Sequence, residues 1–516
     1  MDNLDIHAST KALMNPLVLN LILSYMDAPT LKSARSVCTL WADLGASFLG
    51  KQVSVTFENC CRKVISKSKE LDSLRPELAR SVGLIMLPSH CDWVSLPKNL
   101  IANLLHVSHH VVELDVTMSS KFEPALEQLW RMHYFPNLLH LTLTVIMIKV
   151  GYLSLSEHLS GNYNANQDDE EDDVEFVVVT PKIPQFLTLP NLKSIKLVVK
   201  DQNDMIQDRG ISSICQGLLN SSPNILHVAI NASFYPDFTP CTKLETLVYT
   251  FIRFDDFWVD EEVYVDVPKL TRMLDTCRNY LTRLTLSCDT DWELAQPPIL
   301  MLPSIPNLMA IEIMDMQPLG NFLHSVHLPN LTQVTFSGYN NGYFSLTDIF
   351  KNFHLPHAGI TSLDMETVYF NEVETATKIA RLFPSVKKLR LKFVICEDET
   401  DFLELRDTLG SFATWNLTSA LVEIEDVCDS TYVRAVLLGL VTWKALTPIA
   451  VKFVGLDGKF GPRFVLNYEM EEILLSCRSL RWIEMSRFRM EEEKRIEFEE
   501  FIEEHALPIT LSRWEE

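Results

Sequence analysis

Two glycine-containing segments of this sequence could in principle bind a phosphate group. Gly45–Lys51 fits the pattern G-x-x-x-x-G-K of a phosphate-binding loop, but Gln52 stands where the Ser or Thr that binds Mg²⁺ would be. This segment also follows a predicted helix, whereas a phosphate-binding loop follows a strand. The glycines of Gly455–Gly461 have the wrong spacing for a dinucleotide loop and indicate a turn. We therefore expect no nucleotide site.

Histidines and cysteines could ligate a metal or act as nucleophiles. His106, His109 and His110 lie close together in the sequence, and His90 precedes Cys91, but no second cluster completes a set of four zinc ligands. Neither H-E-x-x-H nor G-x-S-x-G occurs, and no cysteine lies beside groups that activate a thiolate. The sequence thus predicts a protein that is not an enzyme and has no metal or other cofactor.

The charge and the cysteine content predict where the protein acts. It has 45 Lys and Arg residues against 68 Asp and Glu residues, a formal net charge of −23 at pH 7. This charge repels phosphate backbones and anionic lipid, so we expect neither nucleic acid nor a membrane as a partner. No run of about 20 apolar residues occurs, and the acidic start argues against a secretory signal. With 11 cysteines and no C-x-x-C, we expect reduced thiols in the cytoplasm or nucleus.

The elements that would position any site repeat along the chain. The pattern apolar-x-x-apolar-x-apolar occurs eleven times, and most of the steps between occurrences are close to 27 residues. The occurrences begin at Val111, Leu138, Leu192, Ile225, Leu244, Leu281, Leu308, Leu331, Ile360, Val386 and Leu480. Further strands are predicted at Val53–Phe57, Gly83–Leu87, Leu417–Ile424 and Ile449–Phe453.

A dipeptide marks the start of many repeats. Pro-Asn precedes five of them, at Asn137, Asn191, Asn224, Asn307 and Asn330. Proline cannot continue a helix and asparagine favours a turn, so the dipeptide predicts the end of a helix and the start of a strand. Helical periodicity lies at Lys98–His110, Ile211–Leu219, Leu270–Tyr280, Ser345–Phe353, Val373–Leu382 and Glu469–Cys477. Each repeat is therefore predicted to be a helix, a turn and a short strand, because parallel strands need a crossover.

The repeats over residues 80–488 resemble the leucine-rich-repeat family, with its L-x-x-L-x-L core. This resemblance implies an α/β fold that forms a leucine-rich-repeat solenoid, or horseshoe. One feature departs from the family, because the Asn or Cys expected three residues after the last core position is missing, as at Ser119 and Ile146. The alternative is an ordinary α/β domain with Leu-rich strands.

The first fifty residues differ from the repeats. Pro16 suits a first helical turn, and three apolar stripes predict three short amphipathic helices in under forty residues. A unit this small buries too little surface to be stable alone, so we expect it to pack on a neighbour or on another protein. One interpretation is a helical cap for the repeats.

This segment also resembles the F-box. Pro16 ahead of a Leu-rich helix and the sequence Val37-Cys38-x-x-Trp41 carry the resemblance, whereas Val18 stands where an acidic residue is usual. F-box proteins bind the Skp adaptor of cullin-RING ubiquitin ligases, and repeats behind an F-box hold the substrate. The resemblance implies that the adaptor contacts are Pro16, Leu19, Ile22, Leu23, Leu31, Val37 and Trp41.

A substrate would then lie on the concave face of the repeats. The middle residue of apolar-x-apolar points away from the core. The candidate substrate-binding residues on this face are Asp115, Thr142, Lys196, Thr285, Glu312, Thr335, Asp364 and Arg390. This row is polar and somewhat acidic, so it suits a protein segment that carries Lys or Arg. The alternative is that these residues are polar only because any exposed face of a strand carries polar residues.

The predicted organisation is a disordered tail at 1–12, an F-box at 13–50, repeats at 51–488 and an acidic helical cap at 489–516. An acidic, disordered insert is predicted near 160–175, where seven of eight residues from 168 to 175 are acidic. The predicted function is substrate recognition in a Skp–cullin–F-box ubiquitin ligase. The alternative is a leucine-rich-repeat scaffold that binds a protein partner without a ligase role.

Overall fold

The structure is a computed structural model that describes most of the chain but not all of it. The described residues are 13–52, 54–58, 76–86, 104, 106–119, 123–132, 135–146, 183–200, 209–252, 265–289, 299–316, 319–338, 346–367, 372–395, 401–427, 429–444, 448–455, 464–488 and 490–512. The predicted tail at 1–12, the predicted acidic insert, His90, Cys91 and most of the predicted helix Lys98–His110 lie outside them.

The described residues form two compact units. The N-terminal unit contains the described residues up to Leu244, and the C-terminal unit contains those from Glu245 onward. Each unit has one sheet in which every strand pairs in parallel with the next strand of the chain. A sheet that grows in chain order, one strand per repeat, is the α/β repeat architecture predicted from the sequence.

The strands follow the predicted repeats closely. Those of the N-terminal unit are β1 (Ser54–Glu58), β2 (Ser81–Met86), β3 (Glu113–Ser119), β4 (His140–Ile146), β5 (Ser194–Lys200) and β6 (His227–Ala232). Those of the C-terminal unit are β7 (Thr246–Ile252), β8 (Arg283–Asp289), β9 (Ala310–Met314), β10 (Gln333–Ser337), β11 (Ser362–Thr367), β12 (Lys388–Val394), β13 (Ser419–Val427), β14 (Ile449–Gly455), β15 (Trp482–Ser486) and β16 (Ile509–Ser512).

Helices precede and follow these strands. The N-terminal unit has α1 (Pro16–Ser24), α2 (Ala28–Ala34), α3 (Thr39–Gln52), α4 (Glu123–Met132) and α5 (Arg209–Asn220). The C-terminal unit has α6 (Val267–Cys277), α7 (Leu346–Phe350), α8 (Val373–Leu382), α9 (Phe402–Gly410), α10 (Ser430–Val441), α11 (Tyr468–Ser476) and α12 (Glu492–Glu504).

The core of each unit includes all of the predicted apolar positions. All three apolar residues in each of the eleven repeats are buried, with at most 4% exposure. Strand β4 shows the alternation, since Leu141, Leu143 and Val145 are buried while the residues between them are partly exposed. One face of each sheet is therefore covered by buried apolar side chains. The other face, which we call the open face, carries the middle residue of each apolar-x-apolar pattern.

The asparagines of the Pro-Asn dipeptides connect neighbouring repeats. The Nδ2 group of Asn191 donates to the carbonyl oxygen of Pro136 at 2.7 Å, and that of Asn330 donates to Pro306 at 2.8 Å. All five asparagines follow one rule, because each acceptor lies two residues before the first core position of the preceding repeat. The Asn or Cys that the leucine-rich-repeat family carries after the strand is thus missing here, and an asparagine before the strand takes its place.

The three predicted N-terminal helices are present and capped as the sequence indicated. Asn15 Oδ1 accepts a hydrogen bond from Leu17 N at 2.9 Å, and Pro16 occupies the first turn of α1. Asp27 Oδ1 accepts one from Thr30 N at 3.0 Å at the start of α2, and hydrogen bonds from the Thr30 side chain and backbone lower the pKa of the Asp27 carboxyl.

Some connections differ from the predicted helix, turn and strand. The described residues between β9 and β10 contain turns and no helix, and residues 233–245 have none either. Short connections with buried side chains such as Phe322 and Phe238 fill the core instead. The sequence did not predict α4, α9 or α10. The predicted C-terminal helix is present as α12, and an unpredicted strand, β16, follows it and pairs with β15.

We expect Asn224→Ala to lower the free energy of unfolding by about 1 kcal/mol, because it removes a partly buried hydrogen bond of 2.9 Å to Pro190. Urea unfolding would measure the change. Asn416→Ala is the control, because the exposed Asn416 makes no side-chain hydrogen bond to the described residues, and its effect should stay within about 0.5 kcal/mol. Equal losses for the two variants would contradict a structural role for the Pro-Asn side chain.

Candidate protein-interaction surfaces

Helix α1 is apolar on two sides. Leu19 and Leu23 have no exposed area, whereas Leu17 is 79% exposed and Leu21 is 61% exposed. The exposed apolar residues lie at spacings of three or four, which places them on one stripe of a helix. We call this set the α1 stripe, and it comprises Met14, Leu17, Val18, Leu21 and Tyr25. A helix that is apolar all round normally lies inside a protein, so the α1 stripe has the character of a surface that a partner covers.

The opposite side of α1 holds the helical unit together. Leu19 and Leu23 pack with Leu31 of α2 and Leu49 of α3, and half-buried residues complete the cluster. Leu78, which precedes β2, is one of these, so the first repeat contributes to the core of the three helices. The expectation that the small unit packs on a neighbour is therefore confirmed.

The predicted adaptor contacts separate into three groups by their burial. Leu19, Leu23 and Leu31 are fully buried, so they stabilise the helical unit and present no surface to an adaptor. Ile22 and Trp41 are half-buried, and Trp41 packs against the same cluster. Pro16 is exposed, and Val37 is 65% exposed in the turn after α2. Direct contact is thus open to Pro16 and Val37 in full and to Ile22 and Trp41 in part, whereas the three leucines lie in the core of the helical unit, and the adaptor contacts stay a prediction.

Sequence reasoning missed Leu17, Leu21 and Tyr25, which carry most of the exposed apolar surface of α1. The signal was present, because apolar residues recur at spacings of three and four on both sides of this helix. The sequence shows two apolar stripes, but only the packing shows which of them α2 and α3 cover.

Within each unit, the predicted substrate-binding residues lie opposite one another on neighbouring strands. In the N-terminal unit, Asp115 lies opposite Thr142, and Thr142 lies opposite Lys196. In the C-terminal unit the register aligns Thr285, Glu312, Thr335, Asp364 and Arg390 across five neighbouring strands. All eight side chains lie on the open face and are exposed or half-buried. The structure thus brings together three residues in one unit and five in the other.

Arg390 bridges carboxylates on both sides of its strand. Its Nη2 lies 2.9 Å from Glu423 Oε2 on β13, and its Nη1 lies 3.8 Å from Asp364 Oδ2 on β11. Two strands from Asp364 in the row, Glu312 Oε2 accepts a hydrogen bond from Thr285 Oγ1 at 3.0 Å. The open face of this unit therefore carries acidic side chains on both sides of a central guanidinium.

A second line of pairs runs beside the first. Lys392 Nζ lies 2.6 Å from Glu366 Oε1 and 3.4 Å from Glu425 Oε2, and Lys452 lies 3.9 Å from Glu484. Because neighbouring strands lie about 4.8 Å apart, a lysine or arginine side chain on one strand can reach carboxylates on both adjacent strands. The acidic character predicted for this face is thus partly neutralised by cations of the same face.

The environment of Asp364 on this face disfavours its charged form. Burial raises the pKa of Asp364, the Arg390 guanidinium opposes this shift, and the carboxylates of Glu366, Glu312 and Glu423 add to it. The charged form is therefore less favourable in the folded protein than in the unfolded chain.

The residues considered for chemistry lie in places that do not form a site together. The segment Gly45–Lys51 is part of α3, so it has no phosphate-binding loop. Burial raises the pKa of the Cys215, Cys241 and Cys477 thiols to about 12, so these three are protonated at neutral pH. Within the described ranges, no group of three or more His, Cys, Asp or Glu residues could hold a metal ion.

Among the helices that are described, none is long and apolar enough to span a bilayer.

Comparisons with known proteins give little information about the family or the fold of this chain. No protein-family model and no curated protein matches the sequence. One solved structure that matches is that of a leucine-rich-repeat protein of Leptospira interrogans. The identity is 10%, the TM-score is 0.28, and the match covers 89% of this chain and 100% of the other. A TM-score this low supports no conclusion, so the α/β repeat assignment depends on strand order and register.

Leu23→Ala should destabilise the helical unit by about 2–5 kcal/mol, because it removes a fully buried side chain from its core. Leu21→Ala, on the exposed side of the same helix, should change stability by less than about 0.5 kcal/mol. Hydrogen exchange followed by mass spectrometry over peptides from residues 16–52 would measure both. Similar exchange in the two variants would refute the assignment of inner and outer sides.

Asp364→Asn should stabilise the protein at pH 7 by less than about 1 kcal/mol, because it removes a carboxylate that the fold disfavours. The sign follows from the raised pKa, since the free energy of unfolding of the wild type falls as the pH rises through that pKa. The gain should disappear as the pH falls below about 4. Urea unfolding between pH 3.5 and 7.5 would show this, with the exposed Asp115→Asn as the control, and a stability loss at pH 7 would contradict it.

Proposed function

We propose that this protein is a non-catalytic substrate-recognition subunit of a Skp–cullin–F-box ubiquitin ligase. In this proposal the three N-terminal helices form an F-box that binds a Skp-type adaptor. The open faces of the sheets bind a protein substrate, and ubiquitin transfer is performed by other subunits. The coarser form of the proposal is a protein-binding repeat scaffold.

The α1 stripe is the observation that carries this proposal. Exposing Leu17, Leu21 and Tyr25 on one helix face costs free energy in water, at roughly 25 cal/mol per Å² of apolar surface. Since the other face of α1 already packs against α2 and α3, the stripe is available to a partner without unfolding the unit. Val37, in the sequence that resembles the F-box, is exposed in the turn that follows α2.

The open faces support the second half of the proposal. Polar and charged side chains stand in register on neighbouring strands, so an extended segment could contact several repeats at once. In the C-terminal unit, Arg390 and Lys392 each lie near two carboxylates. A basic substrate segment would compete with these cations for the carboxylates, which favours selective binding over non-specific attraction.

The deciding experiment measures adaptor binding by the double variant Leu17→Gln/Leu21→Gln. Glutamine keeps helix propensity and both positions are exposed, so the fold should persist. We expect the wild type to bind a purified Skp-type adaptor in calorimetry, and the double variant to bind more than about 100-fold more weakly.

Leu403→Gln is the matched control, because Leu403 is an exposed leucine on α9, in the other unit. It should bind the adaptor like the wild type. A wild type that binds no adaptor would exclude the ligase role and leave the coarser scaffold proposal. A double variant that binds normally would show that the α1 stripe is not the contact surface.

A further inference from the structure

A cleft in the N-terminal unit differs in charge from the rest of the protein. It has a volume of about 390 Å³, and the residues that line it include Ser47 of α3, Arg80, His109, His110, Asn137 and Asn191. Among the described residues that line it there is no Asp or Glu, although the chain carries 68 acidic residues. Each of its titratable side chains is Arg or His, so a local excess of basic groups lies in an acidic protein.

The cleft is formed by equivalent positions of successive repeats. Arg80, Val112 and Leu139 occupy the same position in three successive repeats, directly after the first core residue, and Val112 N donates to the Arg80 carbonyl oxygen at 2.8 Å. His110 and Asn137 occupy the position directly before the first core residue. The cleft therefore follows the edge where β2, β3 and β4 begin, and backbone hydrogen bonds between repeats fix its shape.

Arg80 is the feature that points to a ligand. It is half-buried, yet its guanidinium has no ion pair and no side-chain hydrogen bond with the described residues. Other half-buried arginines have partners, as Arg35 donates to the carbonyl oxygen of Ala42 and Arg434 pairs with Glu469. A guanidinium that is partly removed from water usually meets a carboxylate or another oxyanion.

Other groups of the cleft also remain available. The imidazoles of His109 and His110 make no hydrogen bond with described residues. The Asn137 and Asn191 amides each donate one bond, to His109 and Pro136 respectively, which leaves a second N–H on each. Several hydrogen-bond donors at this edge therefore have no acceptor among the described residues.

We propose that this cleft binds the carboxylates of an acidic peptide segment of a protein ligand. Arg80 would receive a carboxylate in a bidentate pair, and His110 and the asparagine amides would donate to neighbouring oxygens. A small free anion would fill little of the 390 Å³, whereas a peptide backbone can also cover the apolar Val112 and Leu139 between the donors. This site is separate from the α1 stripe and does not depend on adaptor binding.

Ligand-observed NMR on the full chain tests the proposal with the probe N-acetyl-tetraglutamate amide at constant ionic strength. We expect saturable binding that inorganic phosphate displaces, because both are oxyanions. Arg80→Gln should weaken binding at least tenfold, in line with the loss of a charge-assisted hydrogen bond. Arg283→Gln is the matched control, because Arg283 is an exposed arginine at the start of β8 that forms no ion pair with any described acid, and it should bind like the wild type.

Several results would overturn the proposal. These are no saturable binding of the peptide by the wild type, equal weakening by Arg80→Gln and Arg283→Gln, or binding of phosphate without binding of the peptide. Thermal unfolding would check that Arg80→Gln is folded. If it is not, the double variant His109→Gln/His110→Gln, at two exposed positions, should weaken binding several-fold, and unchanged binding would then refute the proposal.

Discussion

Hydrogen bonding between successive repeats is the constraint on which this structure depends. A strand at the edge of a sheet has unpaired N–H and C=O groups, and here each strand offers them to the next strand of the chain. The Pro-Asn dipeptide extends this pairing beyond the strand, since Asn307 and Asn330 each donate to the turn of the preceding repeat. The register that results places Asp364 beside Arg390 and His110 beside Asn137, so both the charged face and the basic cleft follow from it.

The three N-terminal helices obey a different constraint, which is the small size of their core. Leu19, Leu23 and Leu31 must all be buried for the unit to hold together, and Leu78 supplies apolar surface from the first repeat. This arrangement uses one side of α1 for folding and leaves Leu17 and Leu21 in solvent. A unit that is anchored by its neighbour can present an apolar surface without losing its fold.

The sequence predicted the strands well because each strand carries the same local pattern and the pattern sets its inner face. The predicted helix Val373–Leu382 is observed with those bounds, whereas α9 and α10, whose apolar residues are not confined to one helix face, were missed. The candidate site was harder to predict. Burial of Leu19 and exposure of Leu17 depend on packing between helices, and the pairs of Lys392 depend on side chains brought together from three strands. Likewise, the residues around Arg80 come from successive repeats and meet only when those repeats align.

The asparagine bonds all point one way, and this has a consequence for how the chain is made. Each of the five asparagines reaches back to a carbonyl that lies earlier in the sequence, and none requires a residue that comes later. During synthesis on the ribosome, a repeat that leaves the exit tunnel therefore finds its hydrogen-bond acceptor already in place. Such a chain can fold progressively from its N-terminus, and each growing edge is covered as soon as the following repeat is translated.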